Sequence, residues 1–136
     1  MLEHVARPAE YVAEVRRVLR KQGVFVALTP NRYHYVSLVA TVTPNCFHKW
    51  LNRRRGRSAE DTFPTFYRMN SPRALRGIFE GAGFKTLVLR MVEVQPNYLT
   101  FCTPAFLCGA VYERVVNACE MFAALRVNIV CVFRKE

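Results

Sequence analysis

Between Gly23 and the turn Thr29-Pro30-Asn31 lies Val24-Phe25-Val26-Ala27-Leu28, five consecutive apolar residues. A run of that length without alternation predicts a strand covered on both faces, as in a parallel or mixed sheet. The residues before it have a different period. Tyr11, Val12, Val15, Val18 and Leu19 fall on one helical stripe, and Glu10, Glu14, Arg16, Arg17 and Arg20 lie mostly off it. Residues 8–21 are therefore expected to form a helix. Pro8 sits in its first turn, where a missing N–H costs nothing, and Gly23 is its natural stop. Helix, glycine, apolar strand and turn make an α/β unit, which alone specifies no function.

The later segments extend that pattern. Residues 35–43 are apolar and expected to be helical, and a short helix carrying Phe47, Trp50 and Leu51 follows Pro44. Arg53-Arg54-Arg55-Gly56-Arg57 and the polar residues 58–62 read as a loop. Ser71 is a good N-cap with Pro72 at the first helical position, and Leu75, Ile78 and Phe79 give that helix an apolar face. Gly81 and Gly83 end it. Leu87, Leu89 and Met91 fall at alternate positions, with Thr86 and Arg90 among them, within a predicted strand over 84–95. Residues 104–123 read as a helix with Leu107, Val111, Val115, Ala118, Cys119 and Phe122 on one face, and 127–133 as a last strand.

With 136 residues, 51% of them hydrophobic, the chain is one domain at most and can fill a core. Its longest apolar runs are too short to span a membrane, and Glu3, His4, Arg7 and Glu10 interrupt any leader-like stretch. The five cysteines include no C-x-x-C pair, and four sit among apolar neighbours. Buried free thiols in a reducing cytoplasm are expected, with no metal site. The net charge of +10 favours anionic partners.

Particular residues add a resemblance. Met1-Leu2-Glu3-His4-Val5-Ala6-Arg7-Pro8 looks like the "LEHV-x-x-P" segment after the fourth strand of class I S-adenosylmethionine-dependent methyltransferases. Residues 14–23 resemble that family's "E-x-x-R-V-L-K-P-G-G" helix and turn, with Gln22 a departure near the usual Pro-Gly or Gly-Gly pair. Residues 24–31 resemble its fifth strand ending in "TPN", and 71–84 the helix before its sixth, closing in Ala82-Gly83-Phe84. The similarity is to methyltransferase type 11-like proteins; ubiquinone-type O-methyltransferases share the opening segment.

The resemblance implies an α/β fold: the C-terminal part of a Rossmann-like methyltransferase sheet, with flanking helices. Its three strands would lie in the order 24–29, 127–133, 85–94, the last chain segment central and antiparallel to both neighbours, with Val130, Cys131 and Val132 buried. Residues 32–70 would form a helical, lid-like insert. Residues 1–136 would be the C-terminal portion of one domain, and the chain a truncation or fragment. None of Gly23, Gly56, Gly77, Gly81, Gly83 and Gly109 makes a G-x-G after a strand. Hence S-adenosylmethionine would bind weakly or not at all, and methyl transfer would require the missing half.

Ligands in open α/β sheets sit at the carboxyl ends of strands. The resemblance places Leu2, Glu3 and His4 at the cofactor, and Asn31, Tyr33 and His34 beside a small-molecule acceptor. His4 is a candidate catalytic base because imidazole titrates near neutrality, or else a structural histidine that orients the turn. Glu3 could bind substrate or a divalent cation, though an N-cap or solvated carboxylate is the plainer reading, and Asn31, Tyr33 and His34 could equally be ordinary turn residues. The rival function is a non-catalytic basic module that binds nucleic acid or anionic membrane through Arg53, Arg54, Arg55 and Arg57, aided by Lys49; a solvated loop is the plainer reading of that cluster.

Overall fold

The computed structural model describes residues 1–35, 64–93 and 103–136. The expected helices over 35–43 and after Pro44, the arginine cluster and most of the lid-like insert fall largely or wholly outside them. A 3-10 turn, Leu2–His4, leads into helix α1, Pro8–Val18, and strand β1, Val24–Pro30. Helix α2, Pro72–Gly81, precedes strand β2, Phe84–Val92. Helix α3, Thr103–Ala118, a 3-10 turn Glu120–Leu125 and strand β3, Asn128–Lys135, follow.

The strands form an open sheet in the order β1-β3-β2, with β3 antiparallel to both neighbours. Cys131 lies opposite Ala27 on one side and Leu89 on the other. The expected strand order is therefore the observed one, though β3 starts one residue later than expected and runs two residues further. β1 and β2 never pair directly, so no parallel ladder exists among the described residues.

Local signals account for the helix ends. Pro8 and Pro72 occupy first-turn positions of α1 and α2. Ser71 Oγ accepts a hydrogen bond from the Ala74 amide at 3.3 Å, satisfying one of the donors a helix start leaves open. Gly83 follows α2 at φ 76°, a backbone conformation open to glycine. α1 ends at Val18 rather than 21, because Leu19 is already extended. Lys135 supplies the cation at that end: its ammonium donates to the carbonyls of Arg16 (2.6 Å) and Leu19 (2.7 Å).

The core lies between one face of the sheet and helices α1 and α2. Phe79 is its hub, stacked on Phe133 at 4.1 Å and edge-on to Phe84 at 5.3 Å. Leu2, Val12, Met69, Leu75, Ile129 and Cys131 complete the buried set. Burying a side chain such as Phe79 stabilises by roughly 1.5–3 kcal/mol.

Three expectations are corrected by this packing. Val24–Leu28 is covered on one face only: Val26 is 66% exposed, and Val24 and Leu28 are exposed beside it. Val130 and Val132, on the same side as Val26, are half-buried, whereas Cys131, pointing the other way, is fully buried. The helix expected over 104–123 breaks at Cys119, which is extended, and its expected inner face is turned outward. Leu107, Val111 and Val115 are exposed; Gly109 and Val116 are buried instead. The physical reason is Tyr112, which lies between those two on the inward side and donates its hydroxyl to the Leu125 carbonyl at 2.6 Å.

Candidate functional site

Because β3 is antiparallel to both neighbours, its start meets the carboxyl ends of β1 and β2: Pro30 and Val92 both lie opposite Asn128. Asn31 and its followers thereby come to the same end of the sheet as Glu93. The Leu2–His4 turn packs against β1.

That turn is stitched to the segment before Ser71. The Glu3 carbonyl accepts from the amides of Phe66 (2.7 Å) and Tyr67 (3.2 Å), and Arg68 donates to the Ala6 carbonyl at 2.6 Å. Leu2 is a core side chain. The Glu3 carboxylate pairs with the amino terminus. Partial burial pushes its pKa up, but the amino terminus, its own amide and His4 outweigh that and hold it below the usual carboxylate value. His4 Nδ1 lies 2.9 Å from the Pro64 carbonyl, and Nε2 lies 3.6 Å from Glu3 Oε1. A carbonyl only accepts, so Nδ1 carries the proton and Nε2 is the basic nitrogen. The imidazole is 37% exposed.

At the exit of β1 the chemistry is different. Asn31 is fully buried and its side chain is spent on backbone groups. Its amide donates to the carbonyls of Ala124 (2.7 Å) and Arg126 (2.9 Å), and its oxygen accepts from the Tyr33 amide at 3.0 Å. Asn70, also fully buried, donates to Thr29 Oγ (2.7 Å) and to the Pro30 carbonyl (2.8 Å). Tyr33 is exposed, with the Arg32 guanidinium 5.5 Å from its ring centre. His34 is buried, beside the rings of Tyr35 (4.2 Å) and Tyr112 (5.9 Å).

Glu93 completes this inner cluster. Its Oε2 accepts from the Val127 amide at 2.8 Å and lies 3.8 Å from His34 Nε2. Burial pushes His34 down to about 4, so its imidazole is neutral at neutral pH. Burial, then the charge of Glu93 and then Tyr35, push the Tyr112 hydroxyl up to about 12, so it remains a donor. Arg126, also buried, donates to the carbonyls of Val116 (3.1 Å) and Met91 (3.3 Å) and pairs with Glu120 at 2.9 Å. It thereby satisfies a carbonyl that the end of α3 leaves open.

Of the residues singled out from sequence, Asn31 and His34 converge inside this end of the sheet, whereas Tyr33 and His4 present exposed surface. Asn70, Glu93, Tyr112 and Arg126 were not foreseen. Only Glu93 carried a signal, an isolated carboxylate closing an apolar strand. Among the described residues no group of three or more His, Cys, Asp or Glu could hold a metal ion, and no helix is long and apolar enough to cross a membrane. Cys131 is a buried thiol as expected, with burial pushing it up to about 11. Cys108 and Cys119 are exposed, contrary to expectation: α3 turns the face of Cys108 outward, and Cys119 lies in the extended break after that helix. Cys46, Cys102 and Arg53, Arg54, Arg55 and Arg57 lie outside the described residues.

The fit of these residues to S-adenosylmethionine is uneven. The Glu3 carboxylate is already paired with the amino terminus and lies beside the partly exposed His4 imidazole. Leu2 offers no side chain, being part of the core. The chain matches no family model, no curated protein and no solved structure.

Proposed function

We propose that this chain is the acceptor-side half of an S-adenosylmethionine-dependent methyltransferase domain acting on a small molecule. The observation that carries this reading is the strand order, with β3 inserted antiparallel between β1 and β2. It brings the exits of β1 and β2 to one end of the sheet, and open α/β sheets take ligands at the carboxyl ends of strands; the Glu3-His4 turn packs against β1. A Rossmann-like sheet is part of the same proposal.

In this reading Glu3 and His4 hold the cofactor's edge, and the cofactor, when bound, supplies an electrophilic methyl group. His4 Nε2 accepts the proton from the acceptor's hydroxyl or amine, and the Glu3 carboxylate stabilises the resulting imidazolium. The Pro64 carbonyl fixes the tautomer. Asn31 acts as a positioning residue, tying the segment that carries Tyr33 to residues 124–126. Tyr33 offers an exposed aromatic face to the acceptor. His34 is too deeply buried to touch it without rearrangement, and instead orders the inner cluster.

In this reading the family's glycine-rich turn, for which this sequence has no G-x-G after a strand, would come from a second polypeptide segment that supplies most cofactor contacts. Calorimetry with S-adenosylmethionine tests this. The 136-residue chain alone is expected to bind weakly or not at all, and the same chain joined to a glycine-rich first half to bind well. Micromolar affinity for the chain alone would overturn the half-domain reading. Absence of binding by the folded, completed domain would overturn the methyltransferase.

A further inference from the structure

We infer that the face of the sheet against which none of the described helices packs docks an acidic amphipathic helix through its exposed apolar row and the cations at both ends of it. On β1 the row is Val24, Val26 and Leu28, all exposed. Residues opposite one another in a ladder share a face. The registers therefore put Val132 and Val88 beside Val26, and Val130 beside Leu28. Helices α1 and α2 lie against the other face, where Phe25, Ala27, Cys131 and Leu89 meet the core.

Charge selects the occupant. Arg134 stands opposite both Val24 and Lys85, and Arg90 opposite Val130, so cations flank the apolar row at its two ends. None of the three strands contains Asp or Glu. Arg134 Nε is buried and has no hydrogen-bond partner among the described residues. Lys135, on the opposite face of the sheet, is spent on the end of α1.

The spacing describes the partner. Val24 to Leu28 covers about 13 Å of strand. A helix rises about 1.5 Å per residue, so its two acidic borders would stand roughly nine positions apart, with an aliphatic stripe between them. A second copy of this chain fits poorly, since the same cations would face each other. An anionic membrane fits poorly as well. The apolar row is aliphatic, without the Trp or Tyr that anchors proteins at headgroup level.

The test is a fluorescence-anisotropy titration of the whole chain with a labelled helical peptide of about 15 residues that has a Leu/Val stripe and Glu at both borders. A second peptide with Gln for Glu, and vesicles of phosphatidylcholine with phosphatidylserine, serve as competitors. The acidic peptide is expected to bind in a salt-sensitive way and the Gln peptide at least about tenfold more weakly. V26K is expected to abolish binding, and R90E/R134E to transfer preference to a Lys-bordered peptide. Because the peptide exchange uses the wild-type chain, the result does not depend on any variant folding. Equal binding of both peptides, binding that survives V26K, displacement by vesicles, or self-association lost in V26K would each overturn the proposal.

Discussion

His34 and Glu93 face each other inside the protein, 3.8 Å from Nε2 to Oε2, with both side chains at most 5% exposed. Burial holds the imidazole at about 4, against an ordinary value of 6.5. The unfolded chain therefore takes up this proton first. The contribution to stability is complete above the ordinary value and is lost as pH falls from 6.5 towards 4. The expected slope is at most about 1.4 kcal/mol per pH unit within that window. Urea denaturation across it should show stability falling with acidification, and H34Q should flatten the slope. A gain in stability on acidification would instead mean an imidazolium paired with Glu93.

The turn between α1 and β1 has Gln22 at φ 63°, a left-handed conformation that costs a residue with a Cβ about 1 kcal/mol or more. Gly at this position relieves that cost, while the backbone bond from its amide to the Lys135 carbonyl remains available. Q22G is expected to raise stability by roughly 0.5–1 kcal/mol in chemical denaturation, after the entropy that glycine adds to the unfolded chain.

Gly83 makes the opposite prediction. It has φ 76°, and a Cβ there would press on the Arg16 guanidinium, which is held by the carbonyls of Ala82 (2.7 Å) and Gly83 (2.5 Å). G83A should cost about 1–3 kcal/mol. G83A combined with R16A should still be less stable than R16A alone, because removing the guanidinium leaves the backbone conformation unchanged. Full recovery in the double variant, read from thermal melts, would show that the clash alone matters.

Replacing Asn31 tests the ties between β1 and residues 124–126. N31A leaves two carbonyls and the Tyr33 amide without their partner and is expected to cost about 2–3 kcal/mol. N31D is expected to cost more near neutral pH, since it places a carboxylate against the Ala124 and Arg126 carbonyls, and to recover partly in acid. Equilibrium unfolding at two pH values distinguishes the variants.

For the proposed reaction, H4Q in the completed domain should lower kcat by about a hundredfold or more and remove the limb of the pH profile set by a base. Affinity for S-adenosylmethionine should fall much less. An unchanged pH profile in H4Q would return His4 to a purely structural role.

Local chemistry made part of this architecture legible. Ser71-Pro72 starts a helix wherever it lies, because the cap is made within four residues. Gly83 ends one for an equally local reason. The strand order came from the resemblance and not from periodicity, since hydrophobic pattern does not say which strand lies between two others. The candidate residues divided in the same way. Asn31 and His34 were visible as the residues following a strand, but whether each faced a ligand or the interior depended on groups about 60 to 95 positions away.

The sequence by itself determined the elements: three apolar strands, the capped helix α2, and a net positive chain able to fill a core. Tertiary structure alone decided which faces those elements bury. The unbroken run Val24–Leu28 has apolar side chains on both sides, so only the placement of α1 and α2 selects Phe25 and Ala27 for the core and leaves Val26 in water. α3 likewise has an apolar stripe through Leu107, Val111 and Val115, yet the hydroxyl of Tyr112, bound to Leu125, turns the opposite side inward. Both outcomes have one cause. Periodicity is a property of a single element, whereas burial depends on what the rest of the chain places beside it.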